Sequence, residues 1–259
     1  MSGKFVTVER RGRVTIVTMN RPEAMNAISA KASFEMEKVF DAFAADPEQW
    51  IAILTGAGER AFSAGNDLKQ VLAEGEPIVP PSGFGGLATR FDLSKPIIAA
   101  VNGLAYGGGF ELALACDLIV ASENATFALP EVKVGLAAMG GGLMRLPHHI
   151  GPKRAMDLIL TGRRIDAAEA FTLGVVNRVV PVGKALEGAL EFAELILQNS
   201  PLSVRASKAS IRRGLESGID RVILEHLEYD EVQAMMGSED AKEGPRAFAE
   251  RRSPQWIGR

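Results

Sequence analysis

The run Ala99-Ala100-Val101-Asn102-Gly103-Leu104-Ala105-Tyr106-Gly107-Gly108-Gly109-Phe110-Glu111-Leu112-Ala113-Leu114-Ala115-Cys116-Asp117 sets the reading of the whole chain. It begins as a buried strand entered through Pro96, passes through three consecutive glycines, and continues as a short apolar helix that ends near Cys116. The first turn of that helix is therefore built of glycine, which costs about 1 kcal/mol per residue relative to alanine, so a functional return is expected. Glycines let a ligand approach the backbone, and the first N–H groups of a helix have no intrahelical acceptor and point outward as donors. Close packing of helix on strand is the plain alternative. Glu111, a carboxylate on the same turn of an otherwise apolar helix, argues against packing alone.

Outward from this run the same rhythm recurs. Ile51 to Leu54 reads as a short buried strand, and small residues follow it through Thr55-Gly56-Ala57-Gly58 and Ala61-Phe62-Ser63-Ala64-Gly65-Asn66-Asp67-Leu68-Lys69, leading toward a helix. Leu118 to Ala121 is a strand, then Ala125 to Glu131 leads into Gly135-Leu136-Ala137-Ala138-Met139-Gly140-Gly141-Gly142. Asp166-Ala167-Ala168-Glu169 is a capping box for a helix to Leu173, and Val175 to Val180 is a closing strand. Repeats of strand, small-residue loop and helix imply a mixed α/β layer structure or spiral. Near the start, Phe5 to Val8 and Val14 to Met19 alternate around Arg11-Gly12 as a hairpin. A helix from about Ser29 to Asp46-Pro47 carries Met36, Val39, Phe40 and Phe43 as a core-facing stripe. Residues 75–86, rich in Pro and Gly, read as a mobile surface loop, either a lid or a plain connection. Beyond Ala185 the strands stop: 185–197, 203–215 and 219–236 read as helices, and the charged tail from Ser238 is interrupted by the apolar anchors Phe248, Trp256 and Ile257, which suggests subunit contacts.

Composition narrows the class. The 259 residues, 47% hydrophobic, can fill one large core, and 29 basic against 32 acidic residues give no argument for nucleic acid as partner. A single cysteine, Cys116, excludes an intrachain disulfide framework. Three histidines make a zinc or histidine-triad enzyme improbable. No apolar run reaches membrane-spanning length and no targeting segment precedes the first strand, so the expected location is cytoplasmic, without membrane insertion.

Two donor-rich loops, around Ala64 and around Gly108, are placed to converge on one carbonyl oxygen as an oxyanion hole. Glu111 and Glu131 are then the candidate acid and base, in small or apolar surroundings that raise a carboxylate pKa. For Glu131, beside Pro130, a cap or an ordinary surface charge is the alternative; for Asp67 and Asp117 helix capping is the better reading.

At this point a resemblance enters. Phe62-Ser63-Ala64-Gly65-Asn66-Asp67-Leu68, then Asn102-Gly103 through Gly107-Gly108-Gly109-Phe110-Glu111-Leu112-Ala113, with Pro130-Glu131 downstream, resemble the enoyl-CoA hydratase/isomerase or crotonase family. The similarity covers nearly the whole chain, including Asn20-Arg21-Pro22, Leu160-Thr161-Gly162 and Phe248-Ala249-Glu250-Arg251-Arg252. It implies an α/β fold with a crotonase-like ββα spiral core over residues 1–198 carrying the active site, and a helical C-terminal region over 199–259 for trimer contacts and pocket closure. It also implies a homotrimer or dimer of trimers and an acyl-CoA substrate, with no metal and no cofactor apart from the coenzyme A of the substrate itself. By matching position, the Ala64 and Gly108 N–H groups would hold the thioester oxygen and Glu111 and Glu131 would be catalytic. Ala24, Met25, Ala27, Asn66, Asp67, Leu68, Tyr106, Gly107, Pro130, Leu136 and Met139 would contact substrate or CoA. Family members that hydrate enoyl-CoA carry both glutamates and several isomerases only one, so the pair favours enoyl-CoA hydration; double-bond isomerisation and binding without turnover are the alternatives.

Within the family, Phe127-Ala128-Leu129-Pro130-Glu131, Met144-Arg145-Leu146-Pro147 and the tail from Ser238 look most like the members that dehydrate carnitinyl-CoA. Those members tend to carry an aromatic residue where Asn66 stands and a Pro-Asp pair where Ala138-Met139 stand. A trimethylammonium group prefers an aromatic face or a carboxylate, so the departures favour a plain aliphatic enoyl chain with Met139 as an adaptable apolar wall.

Overall fold

The computed structural model describes residues 3–68, 70, 79–216 and 219–259. It divides into two compact units, Met1–Arg90 with Ile97–Glu191 and Phe91–Pro96 with Phe192–Arg259.

The first unit is built of two sheets. Among the described residues one sheet has the order β1 (Val6–Arg11), β2 (Val14–Met19), β3 (Ile51–Gly56), β5 (Ile97–Val101), β7 (Leu118–Ser122), β10 (Arg178–Val180), and the other has the order β4 (Ala61–Ser63), β6 (Leu104–Tyr106), β8 (Thr126–Ala128), β9 (Ile165–Asp166). The hairpin β1–β2 is antiparallel, pairing Val6 with Met19 and Arg11 with Val14, while β2, β3, β5, β7 and β10 run parallel. Each successive pair, β3–β4, β5–β6 and β7–β8, gives one strand to each sheet, so the chain winds as a spiral. Every residue of β3 and β5 is buried, which is why they read as continuous apolar runs rather than alternating ones.

Helix α1 (Ala30–Ala45) starts where the Ser29 hydroxyl accepts the Ala32 N–H and buries Met36, Phe40 and Phe43, with Val39 half-buried beside them. It holds the described part of the Pro/Gly-rich stretch, from residue 79 on, in place: the Ser82 hydroxyl donates to Glu37, the Gly85 N–H donates to the Ser33 hydroxyl, and a Cβ at Gly86 would lie 2.3 Å from the Glu37 nitrogen. This part is an anchored wall rather than a loose surface loop; residues 75–78 and most of the helix expected after Asp67 lie outside the described residues. Helix α2 (Gly108–Ala115) follows β6, and its Phe110 packs on Phe127 of β8 with ring centroids 5.2 Å apart. Then come α3 (Gly142–Ile150), α4 (Pro152–Thr161), and α5 (Ala167–Thr172), capped by Asp166 through the Glu169 N–H as the capping box requires. Asp117 does not cap a helix. Its carboxylate accepts the Ile97 N–H at 2.7 Å and stitches the end of α2 to the start of β5.

The boundary between the units falls within α6 (Ala185–Leu197). The second unit is helical: α7 (Pro201–Glu216), α8 (Ile219–Glu225), α9 (Asp230–Met236) and α10 (Glu239–Glu250). The single helix expected over 219–236 is broken, because Tyr229 is extended (ψ 135°) and the His226 ring nitrogen sits 2.9 Å from the Ile223 carbonyl, competing for helical acceptors. Helix α10 was masked in sequence by its charges and by Pro245, yet Ser238 caps it through the Ala241 N–H. Its buried Asp240 accepts the Ser200 hydroxyl and the N–H groups of Ile257 and Gly258, which fastens the tail. Among the described residues no helix is long and apolar enough to cross a membrane.

Candidate active site

Two glycines bring the exits of β4 and β6 together. A Cβ at Gly65 (φ +88°) would lie 2.6 Å from the Tyr106 carbonyl and 2.8 Å from the Gly108 nitrogen, and one at Gly109 would lie 2.2 Å from the Ser63 carbonyl. Only glycine at these positions lets the first turn of α2 press against the 63–66 segment.

The 24–28 segment is laced to the same place. The Ser63 hydroxyl donates to the Asn26 carbonyl, Ile28 N–H donates to Gly65 and Asp67 N–H donates to Ile28. Asn26 itself, buried and left-handed (φ +53°), donates through its side-chain amide to the Ala57 and Ala61 carbonyls. The 24–28 segment is therefore bound along residues 63–67. Asp67 accepts the Gln70 N–H and pairs with Arg21 at 2.9 Å.

The backbone donors are not distributed as the sequence suggested. The Ala64 N–H is already donated to the Met25 carbonyl at 2.9 Å. Two residues further, Gly65 C=O and Asp67 N–H both face Ile28, so the Asn66 N–H points to the other side. Among the hydrogen bonds of the described residues neither it nor the Gly108 N–H has an acceptor. The donor pair offered by the structure is thus Asn66 and Gly108, with Ala64 displaced because a distant carbonyl claims its amide.

The carboxylates flank this pair. Glu111, on the first turn of α2, is 4% exposed and accepts the Gly142 N–H at 2.9 Å. Burial raises its pKa to about 7; hydrogen bonds from Gly142 and Gly140 pull it down, the charge of Glu131 pushes it up, and Arg145 pulls it down. Glu131 opens the 3-10 turn after β8 and its carboxyl overhangs Gly107, where a Cβ would lie 3.1 Å from Oε1. Its Oε2 is buried with no hydrogen-bond partner among the described residues, and burial raises its pKa too. A buried carboxyl oxygen without a partner is a group held ready for a ligand or a proton. Pro130 sets the turn ahead of it, and the Phe84 ring covers Gly108, where a Cβ would fall 2.5 Å from Cε1.

The remaining expected residues are less gathered. Tyr106 is half-buried, its hydroxyl accepting from Thr126. Leu136 is 52% and Met139 80% exposed, so within this chain Met139 stands in solvent instead of forming an apolar wall. Sequence reasoning missed Phe84, the seat of Glu111 at Gly140 and Gly142, and Arg145 behind it. The glycine triplet 140–142 ahead of a helix was the available signal, since it repeats the 107–109 pattern.

The raised pKa of Glu111 has a stability consequence. Between its ordinary value of about 4.5 and about 7 the folded chain holds a proton that the unfolded chain has lost, so stability falls across this window and the cost is complete above pH 7. The cost is on the order of 3 kcal/mol. Glu111→Gln is expected to be more stable than the parent at pH 8 and to lose that margin near pH 4.5, checked by urea melts at the two pH values.

A spiral α/β fold that gathers two amides without an acceptor among the described residues, and one buried and one half-buried carboxyl, around a glycine turn is an arrangement able to hold a carbonyl oxygen beside a pair of proton-transfer groups. The chain belongs to the enoyl-CoA hydratase/isomerase family, whose model matches residues 9–259. The carnitinyl-CoA dehydratase of Citrobacter koseri is 48% identical over 96% of this chain and 97% of its own, and that of Escherichia coli K12 is 46% identical over the same shares. Among solved structures, the enoyl-CoA hydratase of Mycobacterium tuberculosis H37Rv has a TM-score of 0.93 at 44% identity, covering 99% of this chain and all of its own. The carnitinyl-CoA hydratase of Mycobacterium avium has a TM-score of 0.79 at 44% identity, with both chains fully covered.

Proposed function

We propose that this chain is a hydro-lyase that adds water reversibly across the 2,3 double bond of a trans-2-enoyl-CoA thioester. The observation that carries the reading is the pairing of buried Glu111 with half-buried Glu131 at a glycine turn whose Gly108 amide has no acceptor among the described residues. In this mechanism the Asn66 and Gly108 N–H groups bind the thioester oxygen. Glu111 and Glu131 hold a water beside C3. As the oxygen adds to C3, ionised Glu111 takes one of the water's protons and protonated Glu131 delivers its own to C2, and the enolate charge rests on the two amides meanwhile. Residues 24–27 and 66–68 hold the CoA, whose remote binding energy fixes the acyl group. Every step is proton transfer and addition, so the proposal includes no metal and no cofactor beyond the substrate's own CoA. It includes a homotrimer or dimer of trimers in the cytoplasm, the exposed Ile211, Leu215, Ile223, Leu224 and Phe248 supplying apolar surface for assembly.

A second reading, hydration of crotonobetainyl-CoA, is favoured by the names of the relatives and by one side chain. Asn66 and Met139 offer no aromatic face, but the Phe84 ring over Gly108 does bring one to the site. A panel of enoyl-CoA thioesters, including crotonyl-CoA and crotonobetainyl-CoA, with product identification by mass, tests both. The expected result is loss of the conjugated-thioester absorbance and products heavier by one water, with higher kcat/KM on crotonyl-CoA. Products of unchanged mass would mean isomerisation, and binding without chemistry on every member would refute catalysis.

A further inference from the structure

Behind Glu111 stands a charged side chain to which nothing above gives a role. Arg145, on the first turn of α3, is half-buried, and its guanidinium donates to two carbonyls: Nη2 to Ala88 at 2.7 Å and Nη1 to Gly140 at 3.5 Å. These acceptors belong to the two walls of the site. Ala88 follows the Phe84–Gly86 turn that covers Gly108. Gly140 opens the turn that seats Glu111: a Cβ there would lie 2.6 Å from Glu111 Oε2, and Gly142 gives Glu111 its N–H. Between them Gly141 (φ +110°) leaves room for the guanidinium, since a Cβ would fall 2.1 Å from Arg145 Nη1.

We propose that Arg145 is a positioning residue, whose guanidinium ties the Gly140–Gly142 seat of the Glu111 carboxylate to the Ala88 wall and holds that carboxylate in place. Its kinetic consequence rests on the hydration reading above; its effect on Glu111 does not. The charged and titratable groups around it are few. Glu131 faces Glu111 from the turn after β8 and raises its pKa, and Arg145 lowers it from α3. Cys116, at the end of α2, and Glu111 both favour the charged form of Arg145, while burial opposes it. His149, further along α3, is pushed toward neutrality by burial first, then by His148 and Arg145, so among the described residues Arg145 is the cation that acts on Glu111.

The test compares Arg145→Gln, Arg145→Met and Arg145→Lys in protein carrying glutamate labelled with 13C at the side-chain carboxyl. The Glu111 resonance is assigned by its loss in Glu111→Gln. In both neutral variants its titration midpoint is expected to rise by about one unit. That shift alone would lower kcat/KM at pH 7 about fivefold, through the lost ionised fraction, and move its acidic limb upward. Arg145→Lys, which keeps the charge, is expected to return the midpoint to the parent value and recover part of kcat. An unmoved midpoint in folded neutral variants overturns the proposal. So does failure of both neutral variants to fold, which would make Arg145 a stability residue, or a lysine variant that behaves like them. The titration needs no substrate, so absence of hydration on every thioester would sink the proposed function while leaving this result standing, and an unmoved midpoint in an active enzyme would sink only the role of Arg145.

Discussion

Glu131→Gln is expected to lower kcat on crotonyl-CoA by about 10³-fold, within the range that positioned acid–base groups supply, while KM stays within a few-fold. Glutamine keeps the shape and the overhang above Gly107, so the fold and the 24–27 and 66–68 segments have no reason to move. What it lacks is the proton. The parent carboxyl is half-buried, with one buried oxygen that has no partner among the described residues, and its burial favours the neutral, proton-bearing form; an amide in that place has nothing to deliver to C2. The basic limb of the parent pH profile, assigned to deprotonation of Glu131, should vanish in the residual activity. Steady-state kinetics with an unchanged far-UV circular dichroism spectrum is the measurement, and a kcat within tenfold of the parent would remove Glu131 from the chemistry.

Gly108→Pro is expected to cost about 10²- to 10³-fold in kcat, the magnitude attached to loss of one oxyanion donor. Gly108 is the first residue of α2, a position where proline's fixed φ is compatible with a helix, and among the described residues its N–H has no acceptor. The substitution therefore deletes a donor that stabilises charge developing only during reaction. It also adds a Cβ where the Phe84 ring lies 2.5 Å away, so the crowding must be separated from the lost donor. Gly108→Ala serves for that: it carries the same Cβ but keeps the N–H. Proline falling well below alanine in kcat, at similar melting temperature, attributes the difference to the amide; equal losses would assign both to displacement of the ring.

The legible parts of this molecule were those written in side-chain periodicity or in glycine. The α1 stripe, the β1–β2 hairpin, the Asp166 cap and the glycine turn into α2 all follow from local rules, and each lies close to where the residues point. The break at Tyr229 did not show, because it depends on a ring nitrogen competing for carbonyls that any helix would offer. Helix α10 was hidden for the opposite reason, a proline and a charged surface obscuring a sound cap at Ser238. The most instructive displacement is that from Ala64 to Asn66. Every residue of the 63–67 segment has an amide, and no side chain announces which is free. That is decided by Met25, nearly forty positions away in sequence, whose carbonyl takes the Ala64 N–H. The anchoring of the stretch beyond residue 79 was likewise invisible, since it rests on Ser33 and Glu37 of a distant helix.

The burial of Glu111 also bears on how this enzyme can be improved. A library ranked by survival of heating in alkaline buffer would reward whatever neutralises position 111, because the folded chain holds a charge there at a cost. Under the proposed mechanism such winners would be robust and idle. Engineering for endurance has to score turnover in the same round, or leave that position out of the randomised set.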